Sequence, residues 1–170
     1  MSTARERIVD ALERVLIEEG PAAATLEHVA EGAGVSKGGL LYHFGSKEAL
    51  FEGLLGRLTD SSQDPAPATD ARGAITEYLR LSMVADDAFS TTLLAALRLV
   101  GAPGVDVPAA LSAASEQWFE QVRPHIADPV TARLIQLVGD GLYLNALISA
   151  PASPHDDAVI ARLLGEVEPH

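Results

Sequence analysis

The sequence predicts an all-α protein of about nine helices. Three observations carry that prediction. Apolar residues recur at helical spacing in every long segment. No segment keeps the alternation of a strand. Ser, Thr or Asp stands ahead of most apolar runs and Gly or Pro follows them, as helix caps and stops do. The chain has 170 residues and 48% hydrophobic composition, enough for one sizeable core or two small units. The breaks divide it into a unit over residues 1–46, a connecting helix over 47–58 and a helical domain over 70–168.

The first predicted helix runs from Ala4 to Glu19 with Ile8, Ala11, Leu12, Val15 and Leu16 as its stripe, and Gly20-Pro21 ends it. Thr25 caps a short helix carrying Leu26, Val29, Ala30 and Ala33. Gly34 breaks it, and Ser36 caps another over Lys37 to Phe44, with Leu40 and Phe44 four apart on its inner side. Gly45 stops that helix, and Ser46 caps the next over Lys47 to Leu58. Two short helices across a tight glycine-containing turn form the pattern of a helix-turn-helix, whose second helix lies in a DNA major groove.

Thr59 to Thr69 is polar and proline-bearing and reads as a linker. Further helices follow over 70–83, 86–100, 109–122 and 129–148, and a last one opens at Asp156 or Asp157. The segment Pro129 to Ile148 is too apolar for one helix face and holds Gly139 and Gly141, which let a neighbouring backbone approach. It is either a central buried helix or is covered on one side by a second subunit.

On the helix-turn-helix, Lys37, Gly38 and Gly39 occupy the open N-terminal end of the second helix, and Lys37 is the residue there able to reach a guanine edge. Tyr42, His43 and Lys47 offer donors where a phosphate could sit, and Arg5 and Arg7 stand near the start of the first helix. Two adjacent glycines in so short a helix cost about 1 kcal/mol each relative to Ala. Either the backbone approaches DNA too closely for a Cβ, or the two glycines are exposed and merely tolerated. On the first account Gly39→Ala is expected to stabilise the free protein while weakening specific binding, and Gly38→Ala to stabilise with a smaller effect on binding.

Net charge is −12, which argues against nucleic acid as a partner. Its distribution softens that objection. Residues 1–58 hold six basic and nine acidic side chains, residues 59–170 six and fifteen, and no carboxylate lies between Gly32 and Lys47. There is no cysteine, and His28, His43, His125, His155 and His170 fall into no metal-ligand spacing. No nucleophile motif or phosphate-binding glycine loop occurs. The expectations are therefore no enzyme, no metal and no cofactor. Asp86-Asp87 and Asp156-Asp157 read as helix-start carboxylates. Nothing resembles a signal peptide or a membrane span, so a soluble cytoplasmic protein is expected.

Arg7-Ile8, Ala11, Gly20, Thr25, Val29-Ala30, Gly34-Val35-Ser36, His43-Phe44 and Ser46-Lys47-Glu48-Ala49-Leu50 together resemble the DNA-binding domain of the TetR family of bacterial transcriptional regulators. The likeness covers about the first third of the chain. It implies a three-helix helix-turn-helix DNA-binding domain followed by a helical ligand-binding and dimerisation domain. It also implies that Thr25 and Lys47 meet phosphates and that Ser36 to Gly39 form the base-reading end. The family usually has a phosphate-touching Tyr where this chain has Leu41, and Tyr42 is expected to take over part of that contact.

Members pair their last two helices in a four-helix dimer interface, which here falls on 129–149 and 156–166 with Leu137, Leu144, Ile148, Ile160 and Leu163 as interface residues. They bind a small molecule among the C-terminal helices, for which Met83, Phe89, Leu93, Leu97, Trp118, Leu142 and Tyr143 are the lining candidates. With only 5% aromatic residues, an apolar but not strongly stacking effector is expected. The expected partners are palindromic double-stranded operator DNA, a second copy of the chain and that effector, with no membrane. The competing reading is a helical protein-interaction or ligand-sensing module that has lost operator binding. Net charge, Leu41 and the paired glycines motivate it.

Overall fold

The computed structural model describes residues 2–60, 70–85 and 87–166. Residues 61–69 of the expected linker, Asp86, His170 and the end of the expected helical domain at 167–168 lie outside the described residues. Among those described there are nine α-helices and no strand: α1 Ala4–Glu18, α2 Leu26–Gly32, α3 Lys37–Phe44, α4 Lys47–Asp60, α5 Ala71–Leu81, α6 Ala88–Arg98, α7 Val107–Phe119, α8 Pro129–Leu147 and α9 Asp156–Glu166. A single 3-10 turn, Arg123–His125, follows α7.

The helices separate into two compact units that do not follow chain order. One holds α1 to α4, α6 and residues 107–114 of α7, and the other holds α5, the rest of α7, α8 and α9. In the first, α1 opens on a reciprocal cap in which the Glu6 amide donates to Thr3 Oγ1 and the Thr3 amide donates to Glu6 Oε2. Ile8, Leu12 and Leu16 are wholly buried, joined by Val29, Leu40, Leu50, Leu54 and Leu99. Helix α6 packs on both α1 and α4.

One charged group is buried there. Glu13 is 6% exposed. Its Oε1 accepts from Thr92 Oγ1 of α6 at 2.6 Å, and its Oε2 pairs with Arg57 Nη1 of α4 at 3.1 Å. Arg57 also pairs with Asp10 at 2.7 Å and donates to the Glu6 carbonyl. The carboxylate therefore has both oxygens satisfied, the condition under which burial of a charge is tolerable.

The second unit is built on Ile75, Leu79, Phe119, Val122 and Ile135, with α5 packed against α8 and α9. Gly139 does admit a close neighbour, but it is the Tyr78 ring rather than a backbone: a Cβ there would overlap the ring. Gly141 faces open space, so no close approach uses it. Helix α7 begins at Val107 rather than 109, because Pro108 is tolerated in a first turn and Asp106 Oδ1 caps the Ala109 amide. It ends at Phe119, before Pro124, which sits instead inside the 3-10 turn.

Leu163 is buried in the second core at 8% exposure, which removes it from the outward face expected of it. Helix α9 carries Val159, Ile160, Leu163 and Leu164, a band wide enough that Leu163 and Leu164 go inward, Ile160 is half-buried and Val159 stays out.

Candidate DNA-reading site and a second-unit cleft

The helix-turn-helix is set by local caps. Thr25 Oγ1 accepts the His28 amide, Ser36 Oγ accepts the Gly39 amide at 3.0 Å, and Ser46 Oγ accepts the Ala49 amide at 3.1 Å. Between α2 and α3 the chain turns at Gly34 with φ +66°, and α3 stops at Gly45 with φ +71°, both in the left-handed region that glycine enters without strain. Helix α3 is held down by Leu40 and Phe44. Phe44 lies so close to Gly53 of α4 that a Cβ there would overlap its ring, and the Arg5 guanidinium sits over that ring, 5.0 Å from its centroid. Arg5 is thus committed to Phe44, and Arg7 donates to the Ser2 carbonyl.

With those two residues inward, α3 turns its polar side out. Tyr42 is 87% exposed, edge-on to His43 at 5.4 Å between ring centroids, while Leu41 is half-buried. Lys37 and Gly38 are exposed and Gly39 is half-buried. Lys47 is half-buried, its Nζ 5.2 Å from the centre of the Phe51 ring, which orients the ammonium at the start of α4.

Lys37 is not idle in the free protein. Its Nζ donates to Glu27 Oε1 of α2, and that hydrogen bond, followed by the backbone amide of Glu27 and the lysine's charge, holds the Glu27 carboxyl below its usual range. The carboxylate-free stretch of sequence is therefore not a carboxylate-free surface. Glu27 joins the reading end from ten residues away, and its only sequence signal is a place in the first turn of α2. His28 Nε2 meets Glu19 Oε1 at 2.8 Å, and this hydrogen bond, then the carboxylate's charge, raises the imidazole above its usual value.

The ligand candidates fall in different units. Phe89 and Leu93 pack half-buried on the first core and Leu97 is exposed beside them in sequence. Trp118 and Leu142 pack half-buried on the second core, Tyr143 stands 6.4 Å from Trp118 between ring centroids, and Met83 is exposed. None of the seven lines the cleft that the second unit does contain. That cleft, of about 520 Å³, lies among the end of α7, the 3-10 turn and the start of α8, lined by Phe119, Arg123, Pro124, Ile126, Ala127, Pro129, Ala132, Arg133 and Gln136. Sequence reading saw only a break there, marked by Pro124 and Pro129.

Along α8 and its C-terminal cap residue, Leu137, Leu144 and Ile148 are exposed, and Val130 and Leu134 extend the row. The steps of four, three, seven and four residues, with Gly141 in the gap, put all of them along one face. No helix among the described residues is long and apolar enough to cross a membrane.

A capped helix-turn-helix seated on α1 and α4, followed by helices carrying an outward apolar row, defines a helix-turn-helix protein with a helical C-terminal part. A family model of bacterial regulatory proteins of the tetR family matches residues 8–54, and one of the tetracyclin repressor-like C-terminal domain matches residues 72–168. The chain belongs to the TetR family.

The chain is 34% identical over 71 residues to the HTH-type transcriptional regulator TtgR of Pseudomonas putida, covering 42% of this chain and 34% of that one. The chain thus spans about a third of the length of this relative and of a second Pseudomonas putida regulator. The HTH-type transcriptional repressor Rv1474c of Mycobacterium tuberculosis is 26% identical, with 99% of this chain and 92% of that one covered. The structure of a TetR-family member from Streptomyces coelicolor, SCO1917, superposes with a TM-score of 0.65 at 26% identity, covering 99% of this chain and all of the other.

Proposed function

We propose that the chain is a homodimeric transcriptional repressor that reads a two-half-site operator through α3 and releases it when a small effector with an apolar body binds the C-terminal part. The observation that carries this reading is the two-sidedness of α3: Leu40 and Phe44 are anchored in the core while Lys37, Gly38, Tyr42 and His43 stand out to solvent. A phosphate or a guanine edge can take the place of Glu27 on Lys37, and the first-turn amides of α2 and α4 with Lys47 supply backbone-directed contacts. A dimer is what two half-sites require, and the outward row on α8 is the surface that supports it.

A mobility-shift titration on the gene's own upstream DNA, at several salt concentrations, tests the reading. Cognate DNA should shift ahead of scrambled DNA, and Lys47→Ala should weaken both about equally while lowering the salt slope by about one. No preference for the upstream DNA at any salt would leave the protein as a helical ligand-sensing or interaction module without an operator.

A further inference from the structure

We infer that the cleft between the end of α7 and the start of α8 is a binding site for amphipathic organic carboxylates, in which Arg133 receives the carboxylate and the wall of Phe119, Ile126 and Pro129 takes the apolar body. The lining runs against the character of the chain. The protein carries 24 acidic and 12 basic side chains, yet the cleft is lined by two arginines and no acid. Its volume of about 520 Å³ is in the range of small-molecule sites.

The two arginines are not equivalent. Arg123 is paired with Glu120 through Nε at 2.7 Å and Nη2 at 3.2 Å, so most of its charge is met within its own turn. Among the described residues Arg133 makes one hydrogen bond, from Nη1 to Gln136 Oε1 at 2.9 Å, and its charge also acts on the Asp140 carboxyl further along α8. Gln136 is 8% exposed and donates from Nε2 to Ser115 Oγ at 3.2 Å, and Ser115 Oγ donates in turn to Asp140 at 3.0 Å. A buried amide fixed at both ends thus orients a guanidinium whose other N–H groups meet no acceptor among the described residues.

A carboxylate matches that planar set of donors, and two N–H···O bonds form without disturbing Gln136. An apolar body is called for by the floor, where Phe119 and Ala132 are buried and the prolines at 124 and 129 keep the rim from collapsing. A bare anion would leave that wall wetted, and a neutral apolar molecule would leave Arg133 desolvated without a partner.

Binding is the core of the inference, and only its regulatory consequence, operator release, rests on the effector-responsive reading above. The test is calorimetric titration of the full chain, without DNA, with octanoate and with 3-phenylpropanoate. Octan-1-ol and inorganic phosphate are the comparison probes, and the emission of Trp118, the single tryptophan and the neighbour of Phe119, is followed in parallel.

At least one acid should bind in a one-to-one ratio at millimolar concentration or below, with the alcohol and phosphate weaker by about tenfold or more. Arg133→Met should abolish the preference for acid over alcohol, Arg133→Lys should restore part of it, and Arg123→Met should change it little. Failure of both acids to bind, an alcohol that binds as well as the acids, phosphate that competes equally, or an unchanged acid preference in Arg133→Met would each overturn the inference. A chain that binds octanoate but ignores operator DNA keeps this site and loses the repressor reading. A chain that binds operator DNA but neither acid does the reverse.

Discussion

The two units close their surfaces differently. In the first, the large apolar side chains left exposed among the described residues are Tyr42, Leu97 and Val100. In the second, four stand in a row on α8 and a fifth, Ile148, on its C-terminal cap, with Met83, Val84 and Val159 elsewhere. Scattered exposure is ordinary for a folded domain, whereas an aligned row is the raw material of a helix-to-helix seam. The first unit meets even its buried charge from its own helices, through Arg57 and Thr92. The second completes its core but leaves one helix face uncovered. On the proposed function, the unit assigned to DNA is finished by its own chain, and the unit assigned to pairing with a second copy is not.

The sharpest break of that contrast is Leu144→Asp. A carboxylate from each subunit would be trapped without a partner in the seam, weakening the dimer by about 3 kcal/mol or more, roughly a hundredfold in dissociation constant. Sedimentation should show monomer at concentrations where the parent is dimeric, with helical content retained because Leu144 is exposed in the protomer. A charge at Leu163 should instead unfold the second unit.

Arg57→Ala attacks the first unit. It strands the Glu13 carboxylate and should cost about 3 kcal/mol in urea unfolding, with most of the loss recovered when Glu13→Leu is added. An intact stability in the single variant would mean that water reaches Glu13.

The glycine pair on α3 gives a smaller effect. Gly38→Ala should stabilise by about 1 kcal/mol, since the nearest atom to its new Cβ, Ser36 Oγ, is 3.9 Å away. Gly39→Ala should gain less, because its Cβ would come within 3.3 Å of that same oxygen, which holds the helix cap. The expectation from sequence that Gly39→Ala simply stabilises is therefore reduced. Thermal unfolding of the two variants, paired with anisotropy titration on cognate and scrambled duplexes, separates cap strain from DNA approach.

Smallest is His28. Its folded-state pKa is raised above 6.5 by Glu19, so its stabilising contribution is complete below that value and fades as pH rises through the raised one. A proton-NMR titration should place its midpoint above 6.5, and Glu19→Gln should bring it back down.

The helix-turn-helix was legible because each of its determinants is local. Thr25, Ser36 and Ser46 cap within three residues, Gly34 and Gly45 turn the chain where they stand, and Leu40 and Phe44 share a face by spacing alone. Glu27 on Lys37 and Thr92 on Glu13 were not legible, because they join residues ten and seventy-nine positions apart and no periodicity reports such a meeting. On α9, a band of four apolar residues spread over two faces hid which pair would go inward. The cleft escaped notice because four of its nine lining residues belong to a proline-bearing connection, which a pattern of helices records only as a gap.

The hydrogen bond from Thr92 to Glu13 also bears on how far this protein can be divided. The sequence invites a cut after residue 60, yielding a detachable reading head suited to fusion or to exchange with a relative's. Such a fragment would lose α6, whose Ala95, Ala96 and nearby Leu99 fill the core shared with α1 and α4. It would also leave one Glu13 oxygen without its donor. A stable first unit therefore includes a piece of chain encoded well downstream, and hybrids joined at the apparent linker should lose stability where the parents' residues at 13 and 92, or their α6 core residues, do not match.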